Sequence, residues 1–155
     1  MAESPVFDPK DVPAQTGSTY PEPYRAKCAA REKRRLGDHA GLKNFGVNLV
    51  RVPPGVMSSM RHWHSRQDEF IYMIEGELVL ATDAGETIVK PGMAAGFPAG
   101  AADGHCLINR GTKDAVYLEI GDRSPGDEVV YSDIDMRASF KSPTAVFVHK
   151  DGKPY

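Results

Sequence analysis

The chain has little of what would mark several functional classes. Its 155 residues hold only two cysteines, Cys28 and Cys106, far apart and in no Cys-x-x-Cys pattern. Neither a disulfide framework nor a zinc knuckle is indicated, and a reducing compartment fits. Neither sign of charge dominates. Nineteen Lys and Arg against 21 Asp and Glu give a formal net charge of −2, which offers no strong attraction to nucleic acid or a membrane. No apolar run approaches transmembrane length, and the N-terminal residues lack the apolar core of a signal peptide. These absences predict a soluble, cytoplasmic, single-domain protein, large enough to bury roughly two-thirds of its unfolded surface. No Ser/His/Asp arrangement, P-loop or Gly-x-Gly-x-x-Gly motif supplies a catalytic centre.

What the chain does have is proline and glycine, as punctuation. Pro5, Pro9, Pro13, Pro21 and Pro23 crowd the first 24 residues, which excludes a helix there and predicts an extended arm. Val6, Phe7, Tyr20 and Tyr24 give that arm apolar content, so it is expected to lie on its own barrel or on a partner subunit. Arg25, Lys27, Arg31, Lys33, Arg34 and Arg35 follow. Glu32 interrupts this basic stretch and no DNA-binding motif accompanies it, so it reads as a solvated or salt-bridged face.

From Asn44 onward the pattern is short β-runs bounded by Gly and Pro, over 45–52, 57–64, 69–75, 77–82, 86–90, 93–97, 105–109 and 115–120. Eight such runs predict an all-β, jelly-roll barrel with little helix. The expected organisation is an extended arm over 1–43, the barrel over 44–121, and a loop with peripheral strands over 122–155. Stretches 129–136 and 145–149 are candidates for those strands, or for a dimer seam.

One constellation carries chemistry. In a strand, residues i and i+2 share a face, so His62 and His64 aim together while Trp63 aims away. A four-residue turn brings in Glu69, and His105 opens a later strand-like run. Three imidazoles and a carboxylate are a borderline N/O donor set for one first-row divalent metal. Alternation places Ile71 and Met73 on the side of Glu69, and Leu107 and Asn109 on the side of His105. Met57, Met73, Phe97, Leu107 and Tyr117 are candidate pocket walls, and Asn109 a candidate partner that orients a ligand. Arg61 is turned away from the metal by the same alternation. Glu119 and Asp103 are candidates for a general acid or base.

These residues resemble the two motifs of the cupin superfamily. In the first, Gly55 leads to His62-Trp63-His64, with Glu69 after four residues and Gly76 after six more. In the second, Gly92 is followed by Pro98-Ala99-Gly100, then His105, then Asn109 three residues later. The gap before His62 is one residue longer than usual, and that between Gly100 and His105 is two longer. The retained spacing from His105 to Asn109 predicts a lengthened loop ahead of an intact strand. The resemblance spans roughly 47–120 and is to the small stand-alone, single-barrel members.

It implies a double-stranded β-helix and one divalent transition metal (Fe, Mn, Zn, Ni or Co) held by His62, His64, Glu69 and His105. Four protein ligands on a six-coordinate metal would leave two positions for water, dioxygen or substrate. Activities in this superfamily are broad, so two readings stay open. The first is a metal-dependent enzyme of dioxygenase, decarboxylase, isomerase or lyase type acting on a small oxygen-bearing metabolite. The alternative is a non-catalytic cupin that binds a sugar or carboxylate. The expected partners are a small-molecule ligand and a second copy of the chain in a homodimer, with no nucleic acid and no membrane.

Overall fold

The computed structural model describes residues 5–140 and 145–155. It is nearly all β, as expected. The strands are β1 (Ala14–Thr16), β2 (Glu32–Arg35), β3 (Phe45–Val52), β4 (His62–His64), β5 (Glu69–Glu75), β6 (Leu78–Thr82) and β7 (Gly85–Val89). They continue as β8 (Ala94–Phe97), β9 (Cys106–Ile108), β10 (Ala115–Asp122), β11 (Glu128–Tyr131), β12 (Arg137–Phe140) and β13 (Ala145–Val148). The single α-turn, α1, covers Leu36–His39. No helix among the described residues is long and apolar enough to cross a membrane.

Three sheets build the molecule. A six-stranded sheet runs β1-β2-β3-β10-β5-β8, a four-stranded sheet β13-β12-β11-β4, and a three-stranded sheet β7-β6-β9. On β5 the alternation is clean: Ile71 and Met73 are buried, while Phe70, Tyr72 and Ile74 are exposed. The inward residues join Val50, Val52, Leu78, Leu107 and Tyr117 in one apolar cluster. A second cluster packs Tyr20 and Cys28 against Met60, Val129, Tyr131 and Met136. Burial of these side chains, at about 1.5–3 kcal/mol each, fastens the segment around Tyr20 to β11. Gly76 ends β5 with φ 71°, and a Cβ there would lie 2.5 Å from the Asp114 carbonyl oxygen. Only glycine satisfies both demands.

One expectation needs correction. The run over 57–64 forms a strand only at His62–His64. Before it, the Met57 N–H goes to the Lys27 carbonyl and the Ser58 N–H to that of Leu107, so the backbone bends through 57–61 to satisfy partners outside any ladder. The basic stretch takes the salt-bridged form of its two expected ones, with Lys33 on Glu119, Arg34 on Glu32 and Arg35 on Asp38. Residues 32–35 form β2, which pairs antiparallel with β3, Lys33 opposite Val50 and Arg34 opposite Leu49. Alternation then sends Lys33 inward with Val50, while Arg34 turns out to Glu32 and the Val12 carbonyl.

Candidate metal centre

The first two histidines lie on β4, which pairs with β11 so that Tyr131 faces His62 and Val129 faces His64. Beyond β4, His62 and His105 form an isolated antiparallel bridge. The His62 N–H reaches the His105 carbonyl at 3.1 Å, and the reverse bond is 2.8 Å. The longer loop before His105 therefore leaves it in register. That loop is tied at Gly100, whose N–H meets the His64 carbonyl at 2.8 Å, and at Asp103, which accepts the Asp83 N–H. Glu69 opens β5 and lies opposite Phe97 of β8.

All three imidazoles converge on one oxygen. Glu69 Oε2 lies 3.1 Å from His105 Nε2, 3.5 Å from His64 Nε2 and 3.7 Å from His62 Nε2. The donor atoms of His62, Glu69 and His105 lie within 4.8 Å of one another. Nδ1 of His62 meets the Met60 carbonyl at 2.9 Å, and Nδ1 of His64 meets Asp127 at 2.6 Å. Both partners only accept, so each Nδ1 carries a proton and each Nε2 is turned towards Glu69, where a metal could take the place of a proton. His105 is held differently. Its ring stacks on Phe97 with centroids 3.6 Å apart, and its Nδ1 is buried with no hydrogen-bond partner. Two rings fixed through Nδ1 with Nε2 turned inward, beside a shared carboxylate, fit a first-row divalent cation.

The electrostatics agree with that fit. Burial pushes the Glu69 carboxyl up, but the hydrogen bond from His105 and the nearby His62 and His64 imidazoles outweigh it and hold the pKa well below the usual carboxylate range. Burial likewise opposes charge on His64, yet Glu69 and Asp127 raise its pKa to about 9. Burial lowers that of His105. Without a metal the cluster is thus an anion seeking positive charge, and a proton on His64 meets that need in part.

A cavity of about 380 Å³ opens beside the cluster, within the range of small-molecule sites. Of the candidate pocket residues, Phe97, Leu107 and Tyr117 line it and Met57, Met73 and Asn109 do not. Met73 belongs to the barrel's apolar cluster and Met57 packs against the second one. Asn109 seals a turn, donating to the carbonyls of Val52 and Lys113 and accepting from Gly111. Arg61 is turned away and pairs with Asp133 and Asp83. Asp103 spends its carboxylate on the Asp83 N–H and does not line this cavity.

Glu119, by contrast, does line it. Its Oε1 lies 2.6 Å from Lys33 Nζ and accepts from Asn48 Nδ2 at 3.0 Å. Burial pushes its pKa up, and the Lys33 charge pulls it below the ordinary value. Sequence reasoning missed Asp127, Lys33 and Asn48 as part of the site. Only the alternation of Lys33 within its basic run hinted at an inward position.

The comparisons agree with this geometry. Residues 48–121 match the profile of the cupin domain. A structure from Silicibacter pomeroyi, described as a sugar phosphate isomerase from a cupin superfamily, is 43% identical, with 97% of this chain and 96% of that chain covered and a TM-score of 0.93. A protein from Acidithiobacillus ferrooxidans, provisionally named a sugar phosphate isomerase, is 30% identical over 82% of this chain and 81% of that one, with a TM-score of 0.73. A polyketide cyclase of Streptomyces resistomycificus, 22% identical over 84% of this chain and 87% of its own, shares the fold at a TM-score of 0.64. Among curated proteins none matches the sequence. With both histidine motifs in place on a β-barrel that superposes along nearly its whole length, this chain belongs to the cupin superfamily.

Proposed function

We propose that this chain is a metal-dependent isomerase of phosphorylated sugars, with His62, His64, Glu69 and His105 holding one divalent metal. The observation that carries the reading is a cavity lined both by a metal-ligand set and by a second, separately paired carboxylate, Glu119. The likeness to the Silicibacter pomeroyi structure supports isomerase among the reaction types open to such a site. A bound divalent metal would supply a Lewis acid that polarises a carbonyl oxygen and its neighbouring hydroxyl.

The proton chemistry belongs to the chain's own side chains. Glu119, kept ionised by Lys33, accepts the proton from the hydroxyl-bearing carbon next to the carbonyl. It returns that proton to the former carbonyl carbon, while a second proton passes between the two oxygens. Formula and oxidation state balance, so no co-reactant is needed. Lys33 and Asn48 hold the carboxylate at one angle, which is what proton transfer between adjacent atoms requires.

The test is incubation of metal-loaded protein with a panel of aldose and ketose phosphates in deuterium oxide, followed by NMR. Interconversion with deuterium entering next to the carbonyl is expected. Glu119→Gln should lower kcat by about 10²–10⁴-fold with metal content unchanged. Saturable binding without conversion or exchange across the panel would sink the proposal in favour of a ligand-binding protein.

A further inference from the structure

Three guanidinium groups line the cavity, those of Arg31, Arg35 and Arg123. Arg35 and Arg123 both pair with Asp38. Arg31 faces no carboxylate among the described residues. Its Nη1 donates to the Ser58 carbonyl, its Nη2 to the Gly17 carbonyl at 3.2 Å, and its Nε is buried without an acceptor. Two of the five N–H donors of a guanidinium are therefore used, and the charge has no direct ion-pair partner among the described residues, although Glu119 feels it through space. The tyrosines around it do not supply an anion. Burial pushes Tyr20, Tyr117 and Tyr131 up, beyond ionisation at neutral pH. The nearby ionised carboxylate, Glu119, is bonded to Lys33.

A half-buried cation without a direct counter-ion is a ready site for a ligand that brings one. The two carbonyls fix the guanidinium plane before any ligand arrives, so little side-chain entropy is lost when an oxyanion docks. We propose that Arg31 is the anion anchor of the cavity, binding the phosphate group of the substrate through the Nη N–H groups that Ser58 and Gly17 leave free. The charge without a direct ion-pair partner argues for an anion by itself. The choice of phosphate rests on the isomerase reading above. Such an anchor would hold the far end of a sugar phosphate while its carbonyl end reaches the histidine cluster, and a neutral sugar would lack that hold.

The experiment is a titration of the metal-loaded full chain with inorganic phosphate, following the guanidinium ¹⁵N–¹H signals of Arg31, assigned by their loss in Arg31→Lys. A saturable shift of these signals is expected. In kinetics, Arg31→Gln should raise KM for the phosphorylated sugar by about 10–100-fold, with kcat less affected and metal content unchanged. Arg31→Lys should recover part of that loss, and turnover of the unphosphorylated sugar should not respond to either change. Arg31 signals that stay still at saturating phosphate would overturn the anchor, even where isomerase activity is found. A saturable shift without isomerase activity would keep the anchor and remove the isomerase. Should Arg31→Gln fail to fold, the wild-type titration decides alone.

Discussion

Two glutamates face the cavity from neighbouring strands, Glu69 on β5 and Glu119 on β10, with side chains 15% and 19% exposed. Burial raises both carboxyl groups, and polar neighbours pull both back below the ordinary value. Their neighbours differ in one respect that decides their chemistry. Glu69 is ringed by imidazoles, each able to present a lone pair, so a metal can replace the protons between them. Lys33 and Asn48 present only N–H donors to Glu119, and a cation cannot displace them to advantage. The carboxylates are alike; the rings beside Glu69 suit it to a metal, and the donors beside Glu119 suit it to the proton transfer proposed above.

The sharpest way to break this contrast is His62→Ala or His64→Ala. Either should abolish stoichiometric metal by elemental analysis while circular dichroism still reports a folded barrel. Glu119→Gln should bind a full complement. Equal metal content in all these proteins would erase the distinction.

Next in size is Lys33→Met, which strands a buried carboxylate and should lower stability by about 3–5 kcal/mol, read from denaturant melts. Adding Glu119→Leu should return much of that loss, because the cost lies in the unpaired charge. Asp127→Asn tests the other side. It leaves one accepting oxygen where Asp127 uses two, for His64 and for the Arg66 N–H, and should weaken metal affinity by about 10–100-fold without changing the fold.

The smallest effect is in pH. In metal-free protein the His64 pKa is raised from 6.5 to about 9, so its stabilisation is full below 6.5 and is lost as pH rises towards 9. The Glu119 pKa is lowered from 4.5, so its contribution is present above 4.5 and is lost as pH falls through its folded value. Thermal melts of the metal-free protein should thus weaken on both sides. Bound metal should remove the alkaline loss, since it takes the place of the proton on His64. An alkaline loss unchanged by metal would contradict that assignment.

Much of this was legible in the sequence because strand alternation is a local rule. His62, His64 and Glu69 needed nothing beyond a period of two and one turn, and the same rule placed Ile71 inward and turned Arg61 away. What escaped notice depends on pairings between distant segments. Asp127 reaches His64 only because β11 lies beside β4. Lys33 meets Glu119 across β3, which lies between β2 and β10. Met73 faces inward as read, but alternation gives a face and not a depth, and its depth is that of the apolar cluster. Asn109 sits two residues along from Leu107, yet the chain turns there and spends its amide on carbonyls.

The bridge between His62 and His105 has a consequence for how the protein is made. Residues far apart in the chain must meet before the donor set exists, so the centre is a product of late, non-local closure and not a seed for it. A cation that binds only the closed form then acts as a clasp on the rim, biasing it towards the shut state by mass action. Protease nicking between Gly100 and Gly104 should accordingly slow as metal is added, which would make cleavage rate a direct gauge of how often the rim opens.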